Sequence, residues 1–443
     1  MLAKIHARLG DFWWYSLMLF CACRAADLLN AFVGLWLVPK YVDPSELGAV
    51  MPLTQFANFL AIPVAAFANT FRNELTRLSI LKEFGKLKTL MRGVFIATSI
   101  FLFLAIFVAR FVLPSFLERI RIIEGSLGIV IISASFVSAV APIYANAIQA
   151  LKKFKTASII NLFCAPVRLI AMLIAIPFRA ITGYFVGQAS VPVFSIAASV
   201  IALRKELSVK AEPYWTHETF KKFSALLAIF LTWGVTTGFY SLVESTIIRQ
   251  RLPDLDSAGY YMATRFSEIA GFLSCTLVFT IFPFVAEKAA KGEDTRSLVV
   301  KSLIANAFFC LALAIPFLFL GQTILSFFPH GDEYSAYWWA IPWLIGINYL
   351  ISITGIYSTA EFSANRFDFL KWYIPLYIAY PILLLLVTGH GYLTGIIPVS
   401  WSEFLTKHNI YSLANMLWWM TAMTAIMAAI CMISMLCDKK RKA

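Results

Sequence analysis

Charge is scarce in this chain of 443 residues. Only 14% of them are Asp, Glu, Lys or Arg, against about 25% in an average soluble domain. That shortage excludes a soluble enzyme and a disordered chain. Histidine is also rare, with five copies (His6, His217, His330, His390 and His408) that fall in or near loops without ligand spacing. Seven cysteines, an odd number lying almost wholly within apolar runs, exclude a disulfide framework. Cys21 and Cys23 diverge on a helix and have no histidine nearby, so no metal or other cofactor is expected. Phosphate-binding P-loops, GxSxG elbows and HExxH helices are missing as well. ATP hydrolysis is therefore excluded, and the chain is not expected to be an enzyme.

Long apolar runs dominate what remains. Apolar residues make up 60% of the chain and the mean hydropathy is +0.77. A span needs roughly 20 apolar residues, and twelve such stretches are readable: 12–38, 47–71, 89–112, 125–150, 157–178, 181–203, 222–248, 258–284, 298–320, 334–360, 370–388 and 410–436. The expected fold is an all-α polytopic membrane protein of about twelve transmembrane helices. A short interfacial helix is expected near Trp401. The first run, from Asp11 to Val38, is too long for a signal peptide and lacks a small-residue cleavage site.

The net charge of +13 is distributed as a topology signal. With the termini and the even-numbered connections on one side, 26 of the 37 lysines and arginines lie there and 8 lie opposite. The positive-inside rule then places both termini in the cytoplasm of a cell (inner) membrane protein. No basic domain exists to bind nucleic acid.

The basic stretch Arg204–Lys222 divides the spans six and six, giving expected bundles over 1–208 and 209–443. A faint repeat agrees. Tyr144-Ala-Asn-Ala147 with Phe154 resembles Tyr357-Ser-Thr-Ala360 with Phe367, and Gly48 with Gln55-Phe56 resembles Gly259 with Arg265-Phe266. Parallel repeats describe transporters that hold substrate between two pseudo-symmetric bundles, in a central cavity.

Few charges are expected at membrane depth, where each costs about 2.5–3.5 kcal/mol on insertion scales. Arg24 and Asp27 share a helical face in the first span, and Arg265 and Glu268 repeat the spacing in the eighth. Each pair either faces a cavity or locks helices together. Arg168 follows Pro166 and either satisfies a freed carbonyl or lines a cavity. Glu244 either pairs with Arg249 or serves as a protonatable group. Asn30, Gln55, Asn58, Asn69, Asn146 and Gln149 lend the first bundle polar texture.

Ser257-Ala-Gly-Tyr-Tyr-Met-Ala-Thr-Arg-Phe-Ser-Glu268 resembles the G-x-Y-x-x-A-x-R opening of span eight in polysaccharide flippases of the MOP (multidrug/oligosaccharidyl-lipid/polysaccharide) exporter superfamily. Gly259, Tyr261, Ala263 or Thr264, and Arg265 match it. The run Tyr144–Asn161 resembles the connection between spans four and five of those proteins, with Ala150 where glycine is common. The resemblance implies a flippase carrying a polyprenyl-diphosphate-linked oligosaccharide to the outer leaflet. It implies membrane lipids, a coupling ion (H⁺ or Na⁺) and polysaccharide polymerase machinery as partners. Arg24, Arg265 and Arg168 would then compensate the diphosphate. Asp27, Glu268 and Glu244 would position the arginines or take the ion. Multidrug exporters share the twelve-span plan and often use an acid in the first span, a part Asp27 fits. Peptidoglycan-precursor flippases usually carry fourteen spans. A glycan polymerase or ligase needs a large outer loop, whereas Gly389–Asn409 offers Glu403 and two histidines.

Overall fold

The computed structural model describes residues 24–122, 125–151, 153–290, 293–363, 366–387 and 412–437. The stretch around Trp401, the start of the first span and both termini lie outside them. The regular elements among the described residues are all helices, with no strand. The long helices are α1 (24–41), α2 (Val50–Ile80), α3 (Phe84–Arg119), α4 (Gly125–Ala150), α5 (Phe154–Ala202), α6 (His217–Arg251), α7 (Asp254–Ala290), α8 (Arg296–Ser326), α9 (Ala340–Ser363), α10 (Leu370–Val387) and α11 (Leu413–Cys437). Among the described residues, eight helices are long and apolar enough to cross a membrane. Their outward faces carry side chains such as Phe103, Phe178 and Phe319, which are 71%, 81% and 81% exposed. Apolar exposure on that scale suits a lipid solvent. The chain is an all-α polytopic membrane protein.

Spans five and six appear as one element, α5, folded sharply in its middle. Arg179 and Ala180 leave helical geometry there, and Ala180 has φ 41°. The two arms return against each other. A Cβ on Gly183 would sit 2.1 Å from the Ala175 carbonyl oxygen, and one on Gly187 would sit 2.3 Å from Met172 Cγ. Only glycine permits so close an approach. The fold in α5 therefore falls between the two stretches, 157–178 and 181–203, that hydropathy separates.

By packing, the chain forms two units. One comprises the chain up to Val33 together with Pro52–Leu242, and the other comprises Gly34–Met51 together with Val243 onward. The first has a core that includes Phe71, Leu75 and Leu78 of α2, Leu87, Leu90 and Val94 of α3, and Ile143 of α4. A strap over 208–216 lies on the start of α3. Its Glu212 amide donates to the Gly85 carbonyl at 3.2 Å, and Lys88 donates to the Val209 carbonyl at 2.9 Å. In the second unit α9 is central, packing on α7, α8 and α11. The short helix Pro44–Leu47, capped by Asp43, lies against α7, where Gly48 leaves room for Ser257. The two repeat tyrosines take equivalent places. Tyr144 and Tyr357 each lie in the last two turns of their helix, α4 and α9.

Candidate functional site

A cavity of about 500 Å³ opens within the first unit. Ala26 and Asn30 of α1 form one side, and Ser138 and Asn146 of α4 form another. The two arms of α5 supply Asn161 and Arg168 from the first and Gln188 and Ser195 from the second. Among the described residues lining it, Arg168 carries the only formal charge. Arg168 Nη1 donates to Asn30 Oδ1. Two amides in the wall are tied to its structure: Asn146 donates to the Ala68 carbonyl at 3.1 Å, and Gln188 donates to the Tyr184 hydroxyl at 2.7 Å. The wall is thus neutral and polar around one guanidinium, with no carboxylate among the described lining residues.

Arg24 and Asp27 lie beside this cavity on α1, joined at 2.9 Å, with side chains 24% and 22% exposed. Ala26 and Asn30 are the α1 residues in the wall. Asp27 is about 100° round the helix from Ala26, so the pair flanks the lining.

The second unit holds its arginine differently. Arg265 Nη1 meets Glu268 Oε2 at 2.8 Å, and Nη2 approaches Met51 Sδ at 2.9 Å. Its guanidinium carbon lies 4.9 Å from the centre of the Tyr261 ring, a cation–π distance. Tyr261 is fully buried and donates to the Gly34 carbonyl at 3.1 Å. Gly34 belongs to the π-helical turn Val33–Leu37 in α1, and a Cβ there would lie 2.9 Å from Arg265 Cδ. Glu244 accepts a hydrogen bond from the Tyr380 hydroxyl. Arg249, placed in an outer loop by hydropathy, is instead inside α6 and 1% exposed. It meets Asp254 at 3.0 Å and donates to the Ser45 carbonyl at 2.7 Å.

This arrangement of helices is found in solved transporters. One similar structure is an outward-facing multidrug resistance MATE family transporter of the MOP superfamily. Its TM-score is 0.64 at 10% identity, over 98% of this chain and 97% of that one. Another is the lipid II flippase MurJ in an inward closed conformation, with TM-score 0.64 and 14% identity over 96% and 89%. A third is a MOP superfamily transporter from Pyrococcus furiosus, with TM-score 0.61 and 11% identity over 95% and 93%.

The chain shares its fold with these solved MOP-superfamily transporters.

Most of the solved structures that share it with this chain are MATE transporters. No protein-family profile matches the chain, and no curated protein matches its sequence. On the MOP fold, both expected i,i+3 pairs form, and each stays within one unit. Arg168 enters a cavity wall with Asn30, a partner 138 positions away. Sequence reading passed over Asn161 and Gln188, which are polar positions within apolar spans and so carried the same signal as Asn30. It also passed over Tyr380 and the buried Glu361, 5% exposed near the end of α9. Cys164, Cys310 and Cys431 are buried and not disulfide-bonded. Among the described residues, no group of His, Cys, Asp or Glu side chains has the geometry to hold a metal ion.

Proposed function

We propose that the chain is an alternating-access transporter that moves a polyprenyl-diphosphate-linked oligosaccharide from the inner to the outer leaflet of a cytoplasmic membrane, for surface polysaccharide assembly. The working arrangement is twelve spans in two bundles, 1–208 and 209–443, with both termini cytoplasmic. The observation that carries the anionic substrate is the first unit's cavity, where Arg168 stands among amides and hydroxyls with no carboxylate in the described lining. A guanidinium matches phosphate oxygens in both charge and geometry. Amides and hydroxyls suit the hydroxyls of a sugar. Arg168 is the first candidate for the diphosphate, with Arg24 and Arg265 as further ones. Asp27, Glu268 and Glu244 position these cations or take a coupling H⁺ or Na⁺. Membrane lipids and a polysaccharide polymerase are the expected partners.

A second reading is a multidrug or cation antiporter. The preponderance of MATE transporters among the similar structures favours it, and Asp27 is then the central acid. Likeness at 10–14% identity speaks for the fold, and pocket charge varies on that fold. The Pyrococcus furiosus transporter is described as having a binding pocket of reverse polarity that suggests a different function.

Binding separates the two readings. Purified protein is titrated with a short-chain prenyl-diphosphate oligosaccharide and, separately, with a cationic dye. The flippase reading expects saturable binding of the diphosphate, weakened roughly 10- to 100-fold in Arg168→Ala, the loss of one or two charge-assisted bonds. Dye binding that Asp27→Asn abolishes, with no binding of the diphosphate, overturns it in favour of the antiporter.

A further inference from the structure

The polar groups in the first unit's cavity fall at two levels. Asn161 and Arg168 line it from the first arm of α5, seven residues apart and so on one helical face. Gln188 and Ser195 line it from the second arm at the same spacing, and Ala165 and Val191 fill the turn between. The glycine contacts give the register of the arms. Gly183 faces Ala175, and Gly187 faces Met172. Continued away from the fold at Arg179 and Ala180, that pairing brings Val191 level with Arg168 and Ser195 level with Cys164. Ser195 and Asn161 therefore lie one turn and two turns farther from the fold than Arg168, roughly 6 and 10 Å along the axis. α4 packs along α5 and joins it through 151–153, so Asn146 falls near the Asn161 level and Ser138 near the Arg168 level.

The two levels differ in chemistry. At one, Arg168 brings the only formal charge among the described lining residues. At the other stand two carboxamides and a hydroxyl. Lys153, at the start of the first arm, is held by Glu206 at 2.8 Å and by the Ala202 carbonyl, and it is not among the lining residues. Asn146 gives an amide hydrogen to the Ala68 carbonyl. Asn161 and Ser195 hydrogen-bond to none of the described residues. Ser190, on the same arm as Ser195, bonds back to the Gly187 carbonyl at 2.6 Å, the local bond open to a helix serine. Polar side chains facing a cavity without a protein partner take water or a ligand instead.

A neutral sugar is the complement of that level. Its hydroxyls each donate and accept, and a carboxamide offers two donors and an acceptor to adjacent ones. A sugar linked directly to a diphosphate at Arg168 reaches this level. The cavity, about 500 Å³, is of a size for a small ligand, roughly 300–1,000 Å³, which suits a diphosphate with its first sugar. A uronic acid would bring a carboxylate to a level with no cation, at a cost in desolvation. Given the flippase reading, on which this subsite rests, we propose that the end of the cavity at Asn161 and Ser195 binds the first sugar of the substrate and selects an uncharged one, while Arg168 holds the diphosphate.

The full-length protein in nanodiscs is titrated with a short-chain prenyl diphosphate, and with the same lipid carrying glucose, N-acetylglucosamine or glucuronic acid. The readout is the affinity of each glycosylated lipid relative to the bare one. In wild type one neutral sugar should improve binding about threefold to tenfold, the worth of a neutral hydrogen bond, and glucuronic acid should not improve it. Asn161→Ala should bring the neutral-sugar ratio close to one, and Ser195→Ala should lower it by a smaller factor. Arg168→Ala should weaken all the lipids and leave the ratio in place. Unchanged elution and thermal midpoint verify that each variant folds. A ratio of one in wild type, or a ratio unchanged in both Asn161→Ala and Ser195→Ala, overturns the subsite while the diphosphate reading stands. A glucuronic acid lipid that binds as tightly as the neutral ones overturns the selection for an uncharged sugar. Failure of the folded wild type to bind even the bare diphosphate overturns the flippase reading, and the subsite with it.

Discussion

Two arginines at membrane depth, one in each unit, are held in opposite ways. In the first unit Arg168 leans on a neutral amide, Asn30, and lines a cavity of about 500 Å³. In the second, Arg265 is closed in by a carboxylate, a sulfur and an aromatic face, with Gly34 pressed against its stem. A neutral amide accepts from a guanidinium without cancelling its charge. A carboxylate at 2.8 Å neutralises most of it before any ligand arrives. The same residue type therefore lines a cavity in one unit and is packed against a carboxylate, a sulfur and an aromatic ring in the other. The i,i+3 spacing on α7 shows only that a pair can form, and the surrounding contacts decide what the pair does.

The largest expected effect tests the packed arginine. Arg265→Ala leaves Glu268 at membrane depth without its cation and removes the guanidinium from the Tyr261 face. A loss of about 2–3 kcal/mol is expected, read as a lower thermal midpoint in lipid nanodiscs. The double variant Arg265→Ala/Glu268→Gln should recover most of it, because no charge is then stranded. Arg168→Ala should move the midpoint far less while weakening diphosphate binding. If Arg265→Ala abolishes substrate binding at unchanged stability, the contrast between the units fails and Arg265 belongs with the ligand.

The next effect sharpens the first unit's side of the comparison. Both arms of α5 line the cavity, and their spacing depends on Gly183 facing the Ala175 carbonyl. Gly183→Val places a branched side chain where even a Cβ would lie 2.1 Å from that oxygen. The arms must separate, at a cost of about 1–3 kcal/mol. Reduced thermal stability together with weakened diphosphate binding is expected. Binding unchanged in Gly183→Val would show that the space between the arms is not the substrate site.

How much of this was readable in advance follows from the range of the interactions. Spacing along one helix exposed Arg24–Asp27 and Arg265–Glu268, because residues three apart meet whatever the tertiary fold. Hydropathy separated the arms of α5, because Arg179 interrupts the apolar run where the helix breaks. Pairing across the chain was invisible. Nothing near Arg168 in sequence points to Asn30, and the nearby Pro166 suggested a freed carbonyl. Arg249 was assigned to a loop because it follows an apolar run, yet it is buried against Ser45, some two hundred positions earlier. The π-helical turn at Gly34 likewise has no local signature. It is explained by Arg265 and Tyr261, which the sequence places more than two hundred residues away.

The smallest effect concerns the open end of the α5 hairpin. Lys153, just before the first arm, donates to the Ala202 carbonyl at the end of the second and meets Glu206 at 2.8 Å. This clip lies beyond the apolar arms. Burial alone raises the Glu206 carboxyl, but the hydrogen bond and positive charge of Lys153 outweigh it and hold the group below its ordinary value. A carboxylate whose pKa is lowered by folding contributes stability above its unfolded pKa and loses that contribution as pH falls through the folded one. Wild type should therefore lose stability on acidification below about pH 4.5, whereas Glu206→Gln should be flatter there. With Lys153 and Glu206 partly exposed, the difference at neutral pH should be about 0.5 kcal/mol. Lys153 keeps its bond to Ala202 in the variant, so the arms stay joined and the cavity should bind as before. A Glu206→Gln protein with weakened diphosphate binding would mean that this clip, as well as Gly183, sets the shape of the first unit's cavity.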